Sequence, residues 1–321
     1  MTGIVQDIGA AGTATATDQG PVARLAARCG IVVVFYHPDT SSVARANRFA
    51  CLGPCVVVDN TERQHSAASL GLDSTVHYLG NGANLGIATA LNQGVARLLA
   101  LGCEAALLFD QDSEPDDALL DALPAALFAQ IRTGRRVAVV GPAYVDARLG
   151  GVAPFVRFAF PRLQRVPAVG EAALDVDFLI TSGSCLNLAT WSDIGPMDDA
   201  LFIDFVDVEW CVRARRAGYA VLGIPWLRLG HALGGEPIRI LGRAYPSHGP
   251  VRHYYLFRNA TALMRRAYMP AAWKCNELLK MPARLAIYGL WLRPRASHVR
   301  HALTGFWHGL TGRLGAMPVR R

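Results

Sequence analysis

Two unbroken apolar runs rich in β-branched residues, GIVVVFY at 30–36 and CVVVDN at 55–60, constrain this chain more than any other feature. Apolar side chains at every position leave no face for water, so both runs predict buried strands of a parallel sheet. A polar, helix-compatible stretch separates them, as a crossover between parallel strands requires. STVHYL at 74–79 predicts a third strand. LGIATALNQGVARLLALG then sets Ile87, Leu91, Val95 and Leu98 at helical spacing, with Gly102 just past the end. AALLFD at 105–110, a helix opening near Pro115 and a strand near 137 complete a βαβαβ pattern. The predicted class is α/β: a Rossmann-like, mostly parallel open sheet flanked by helices.

At 321 residues, 52% hydrophobic and 18% charged, the chain can bury one large domain with an appendage. The expected division is a flexible leader over 1–28, a catalytic domain over 29–248 and a helical, basic region over 249–321. Seven cysteines without a C-x-x-C pair read as buried thiols in a reducing compartment and predict no structural zinc. The leader lacks the basic start and apolar run of a secretion signal, which predicts a cytoplasmic protein. The apolar stretch LAIYGLWL at 285–292 is shorter than the roughly 18 residues a membrane span requires.

The net charge of +7 is uneven. Residues 265–321 hold eleven Lys or Arg against the single acid Glu277, so the remainder is on balance acidic. Trp273, Tyr288, Trp291, Phe306 and Trp307 are interleaved with those cations, a mixture expected of helices lying on an anionic membrane surface. A solvated basic tail or a nucleic-acid patch would share the charge.

Ligands of open parallel sheets gather at the carboxyl ends of the strands. Asp39, Asp59 with Asn60, Asn81 to Gly86, and Asp110 with Asp112 all occupy that edge. In extended chain, residues i and i+2 point the same way, so Asp110 and Asp112 together suit one hard divalent cation. Alternatively, Asp112 or Ser113 caps the next helix, with Asp116 completing a capping box; that leaves Asp110 unexplained. GNGANLG at 80–86 has the spacing G-x-G-x-x-x-G and follows the third strand, so it argues weakly for a dinucleotide; its N–H groups at a helix start suit a sugar nucleotide. Farther on, FIDFVDVEWCVRARRAGY turns from an acidic stretch into a helix ending at Gly218, which clusters Asp204, Asp207 and Glu209 at a helix N-terminus. His231 closes the second of two strand-like runs that follow.

VVVDN at 56–60, NLGIATALNQG at 84–94, LLFDQDS at 107–113, SGS at 182–184, FIDFVDVEWCVRARRAGY at 202–219, His231 and HGPVRHYYLFRN at 248–259 together resemble the inverting, GT-A-fold glycosyltransferases of family two, more narrowly its bacterial rhamnosyltransferases. The resemblance spans roughly residues 30–315. It implies Asp207 as general base and Asp110, Asp112 and His231 as ligands of Mg²⁺ or Mn²⁺. It implies a nucleotide-sugar pocket of Tyr36, Asp59, Asn60, Asn84, Gly86, Asn92 and Gln111, with Arg258 on the diphosphate. The implied donor is dTDP-L-rhamnose and the implied acceptor a lipid-linked saccharide at the inner face of the cytoplasmic membrane, with no nucleic acid as partner. A mono-rhamnolipid acceptor shares the same motifs. The Q-x-x-R-W segment usual in family two is absent, and YYLFRN stands in its place. A nucleotidyltransferase would need a glycine-rich, basic first loop, which YHPDTSS is not. A non-catalytic membrane-surface or nucleic-acid adaptor is the alternative of another class.

Overall fold

The structure is a computed structural model describing residues 28–146, 151–230, 238–240, 243–245 and 248–318. The expected leader, apart from Arg28, and the expected metal ligand His231 lie outside the described residues.

The first apolar run forms β1 (Cys29–Phe35); α1 (Thr40–Leu52) crosses to β2 (Cys55–Asp59). The short α2 (Ala67–Leu70) precedes β3 (Val76–Gly80), α3 (Ile87–Ala100) precedes β4 (Ala105–Asp110), and α4 (Asp117–Arg132) precedes β5 (Val137–Asp146). β6 (Gly151–Val152) pairs with β5, and β7 (Phe155–Ala159) and β8 (Arg162–Val166) form a separate hairpin. Next come β9 (Leu174–Asp175), β10 (Ser184–Asn187), α5 (Trp191–Ile194), α6 (Val206–Arg216) and β11 (Ala220–Gly230). After the small pair β12 (Ile238–Ile240) and β13 (Arg243–Tyr245), the chain ends in α7 (Pro250–Met264), α8 (Ala271–Leu290) and α9 (Arg295–Thr311).

Among the described residues, the main sheet runs β3-β2-β1-β4-β10-β5-β11-β9. β3, β2, β1 and β4 are parallel, as are β5 and β11, so the expected mostly parallel α/β sheet is present. Alternate residues of β1 serve different layers: Val32 and Val34 pack with α3 and α6, whereas Ile31, Val33 and Phe35 pack with α1 and α4. Burial on both faces is why the sequence shows runs rather than alternation.

Two features depart from the sequence reading. β10 enters antiparallel between β4 and β5, from a Ser- and Gly-containing stretch too short for a periodic signal. The two strand-like runs before His231 are one strand, β11, whose pairing with β5 shifts between Ile224 and Arg228, around Pro225. A proline cannot donate to the ladder, so the run looks interrupted in sequence but continues as an irregular strand.

α9 lies close against α7. A Cβ on Gly309 would stand 2.5 Å from the Arg258 carbonyl oxygen, and one on Gly305 would collide with that of Tyr254. Small residues at those two positions let the helix backbones approach. His253, Tyr288 and His298 fill the adjoining space, His253 stacking on Tyr288 with ring centroids 3.7 Å apart. Of the aromatics expected on the membrane-facing side, Trp273 and Tyr288 are therefore inside: Trp273 packs edge-on to Phe205 at 5.5 Å.

Candidate active site

A cleft of about 480 Å³ opens at the carboxyl ends of β1 and β4, where an open α/β sheet presents ligands. It brings together Tyr36 from the end of β1, Asp110, Gln111 and Asp112 from the end of β4, Thr181 and Ser182 before β10, residues 203–207 at the start of α6, and Arg252 in the first turn of α7.

The turn carrying the two aspartates is fixed from three sides. The Asp110 N–H donates to Ser182 Oγ at 3.1 Å, and Ser182 Oγ lies 2.6 Å from Ser113 Oγ. Arg45 donates twice to the Gln111 carbonyl, at 3.0 and 2.7 Å. The Tyr36 N–H donates to Gln111 Oε1 at 2.7 Å, tying the ends of β1 and β4 together. The capping alternative for Asp112 and Ser113 is not what forms: Asp116 caps α4 itself, accepting the Leu119 N–H at 2.7 Å. Asp110 and Asp112 instead face the cleft.

The opposite wall is the segment leading into α6. Phe202, Asp204 and Phe205 have φ of 65°, 68° and 62°, a region that side-chain-bearing residues occupy only under constraint from their surroundings. The constraint is visible. The Asn259 amide donates to the carbonyls of Leu201, Ile203 and Asp204, at 2.9, 2.7 and 2.9 Å. Arg258 donates to Leu201 at 2.8 Å, to Ala200 at 3.2 Å and to Gly315. The Ile87 N–H donates to Phe202 O at 2.7 Å.

This wall presents two carboxylates of different character. Asp204 Oδ1 pairs with Arg252 Nε at 3.1 Å, while its Oδ2 is the one buried side-chain oxygen among the described residues with no hydrogen-bond partner. Asp207 accepts the Val208 N–H at 2.8 Å. Burial pushes the Asp207 carboxyl up to about 6; the Asp204 charge adds to the rise, and the Val208 N–H and Arg252 oppose it. Glu209 is turned away, 1% exposed, bridged to Arg213 at 2.8 Å and bonded by the Tyr268 hydroxyl at 2.5 Å. It is part of the packing of α6.

Several expected pocket residues stand behind the cleft instead of lining it. Asp59 is buried, one oxygen accepting the Thr61 N–H and the other the Tyr78 hydroxyl, both at 2.9 Å. Asn60 donates to Gly86 O at 3.0 Å and accepts from Asn81 at 2.8 Å. Asn84 accepts the Gly86 N–H at 3.0 Å. Gly86 has φ 87°, and a Cβ there would stand 2.6 Å from Phe202 O. Asn92 joins α3 to the far wall, pairing with the Met197 backbone and donating to Asp199 at 2.6 Å. Arg258 is fully buried with its donors on carbonyls, so its place does not suit a diphosphate. The cation in the cleft is Arg252, which the sequence reading missed. Its only sequence signal was a basic residue two and three positions before the tyrosines of HGPVRHYY.

Among the described residues, the lining thus sets Asp110, Asp112, Asp204 and Asp207 against one arginine. A phosphate-bearing ligand needs countercharge in such a cleft, and carboxylates 110 and 112 are the oxygen donors a hard divalent cation prefers. No group of three metal-binding side chains is present among the described residues.

No protein-family model matches the chain. The dTDP-rhamnosyl transferase RfbF of Shigella flexneri is 30% identical to it over 254 residues, 77% of this chain and 83% of RfbF. A crystal structure of GalNAc-T7 with UDP, GalNAc and Mn²⁺ superposes over 89% of the chain, with a TM-score of 0.52 and 14% identity. The chain spans 56% of that longer protein, and the likeness concerns the fold alone. With the sheet order, the acidic cleft and the RfbF match in agreement, the chain belongs to the family of nucleotide-sugar glycosyltransferases that includes RfbF.

Proposed function

We propose that the protein is an inverting rhamnosyltransferase, moving L-rhamnose from dTDP-L-rhamnose to a hydroxyl of a lipid-linked saccharide. The observation that carries this reading is a half-buried carboxylate, Asp207, facing the Asp110–Asp112 turn across one cleft in a relative of a dTDP-rhamnosyl transferase.

Asp207 accepts the proton of the acceptor hydroxyl as its oxygen attacks the anomeric carbon. The new C–O bond forms as the bond to the diphosphate breaks, and the diphosphate leaves with the electron pair. One displacement on the face opposite the leaving group inverts the anomeric centre. A carboxylate titrating near 6 is ionised at neutral pH and is a stronger base than an ordinary one. Asp204 offers its second oxygen to the acceptor, and Arg252 takes the diphosphate role expected of Arg258, swinging from Asp204 as the donor enters. Asp110 and Asp112 would hold Mg²⁺ or Mn²⁺, which supplies countercharge to the diphosphate. Tyr36 and Gln111 form the donor side.

Turnover of dTDP-L-rhamnose, UDP-glucose and GDP-mannose, with and without Mg²⁺, tests the reading. Metal-dependent transfer from the dTDP sugar is expected, lost in Asp110→Ala. Transfer from another nucleotide sugar would retain the chemistry and overturn the rhamnose assignment. Lipid-linked saccharide and mono-rhamnolipid, offered in parallel, separate the two acceptor classes.

A further inference from the structure

The buried and exposed residues of α9 form two stripes. His298, Ala302, Gly305 and Gly309 face inward toward α7. On the other side, at spacings of three and four, stand Leu303 (49% exposed), Phe306 (39%), Trp307 (60%) and Leu310 (41%). α8 repeats the arrangement. It buries Ala272, Trp273, Glu277, Met281 and Tyr288 and exposes Leu278, Leu279, Ala283, Ala286 and Leu290, with Leu279 at 77%. A helix needs one apolar stripe to pack on its protein; each of these carries a second that none of the described residues covers.

The surrounding charge has one sign. Lys280, Arg295, Arg300 and Arg313 are exposed around the stripes. The only acid of residues 265–321, Glu277, is 3% exposed and already neutralised by Lys280 at 3.2 Å and Arg284 at 2.6 Å. No helix among the described residues is long and apolar enough to cross a membrane.

We propose that the outer faces of α8 and α9 seat the protein on an anionic bilayer, with Trp291 and Trp307 at headgroup depth and the arginines on the phosphates. A second copy is the poorer occupant, because a symmetric contact would bring two strongly basic tails together. A nucleic acid would engage the arginines and leave Leu279, Leu303 and Leu310 in water. The proposal goes beyond the transferase reading and does not depend on it, since binding is measured with no donor or acceptor present.

The test is flotation of the full chain with phosphatidylcholine vesicles, alone or containing about 30% phosphatidylglycerol, together with tryptophan emission. Binding to the anionic vesicles with a blue shift is expected. The double variant Phe306→Ser/Trp307→Ser is expected to bind at least about tenfold more weakly. Arg300→Glu/Arg313→Glu should lose the preference for anionic lipid. All four side chains are exposed or partly so, and the melting temperature should hold; should either variant melt early, Leu279→Ser on α8 serves in its place. Wild-type protein that ignores anionic vesicles, or variants that bind like wild type, overturns the proposal. A doubled mass in light scattering that falls to one chain in the serine variant would give the stripes to a second copy instead.

Discussion

On one side of the cleft the chain passes from β1 and β4 straight into short turns, pinned by neighbours of the same sheet edge: Tyr36 to Gln111, Asp110 to Ser182. On the other, residues 202–205 include three of the four non-glycine residues with positive φ among those described, and contacts from far along the chain hold them there. Asn259 and Arg258 of α7, Gly315 beyond α9 and Ile87 at the start of α3 all reach the same few carbonyls. The β1–β4 wall is a product of local sheet geometry. The wall that carries Asp207 is strained locally and held by tertiary structure, which is the pattern expected where a carboxylate must be kept partly out of water.

That contrast can be broken from the α7 side. Arg258→Ala removes a fully buried guanidinium and takes away the donor to the Gly315 carbonyl and to Asn259 Oδ1, while the Leu201 and Ala200 carbonyls keep other donors, so a loss of about 3–5 kcal/mol is expected by denaturant unfolding. Asn259→Ala is the milder form, about 1–3 kcal/mol. If it folds, kcat should fall well before donor affinity does, because the β1–β4 wall, proposed to hold the donor, is untouched; equal losses in both would mean that the walls are not independent.

Asp207→Asn sharpens the comparison in the opposite direction. Between the usual carboxylate range and about 6, the folded chain holds a proton that the unfolded chain has lost, so this group's contribution to stability declines as pH rises through that window. Above it the ionised, partly desolvated carboxylate is a net cost. The amide variant should therefore be more stable than wild type at pH 8, by about 1–3 kcal/mol after discounting for its opening on the cleft, and no more stable at pH 4. Thermal melts at the two pH values check this.

The smallest effect concerns the pH profile. The acid limb of kcat/KM should fall near 6 in wild type. Asp204→Asn removes a like charge and should move the limb down; Arg252→Gln removes the opposing cation and should move it up, each by about one pH unit or less. Shifts of the same sign in both variants would break the electrostatic account.

What the sequence revealed follows the same division. The strands β1 to β5, the helix from Ile87 and the Asp110–Asp112 edge were legible because periodicity and strand ends are local. So was the place of Asp207 at a helix start, which puts it on the cleft. What stayed hidden was long-range. That Asn92 and Gly86 brace the far wall, that Arg258 is spent on carbonyls and that Arg252 is the cation that reaches the cleft among the described residues all depend on how α3 and α7 pack against residues 197–204. No spacing within either helix encodes it. The aromatics of the tail show the same limit: composition placed five among the cations, and only the packing of α8 and α9 sorted Trp273 and Tyr288 inward from Trp291, Phe306 and Trp307.

The central claim is that Asp207 acts as the base and not as part of the donor site. The direct test is a pair of measurements on Asp207→Asn: donor binding by calorimetry and turnover with saturating dTDP-L-rhamnose. The account predicts donor affinity within about twofold of wild type and a loss of turnover of about 10²–10⁴. Turnover retained within tenfold, or donor binding lost along with it, would contradict the claim.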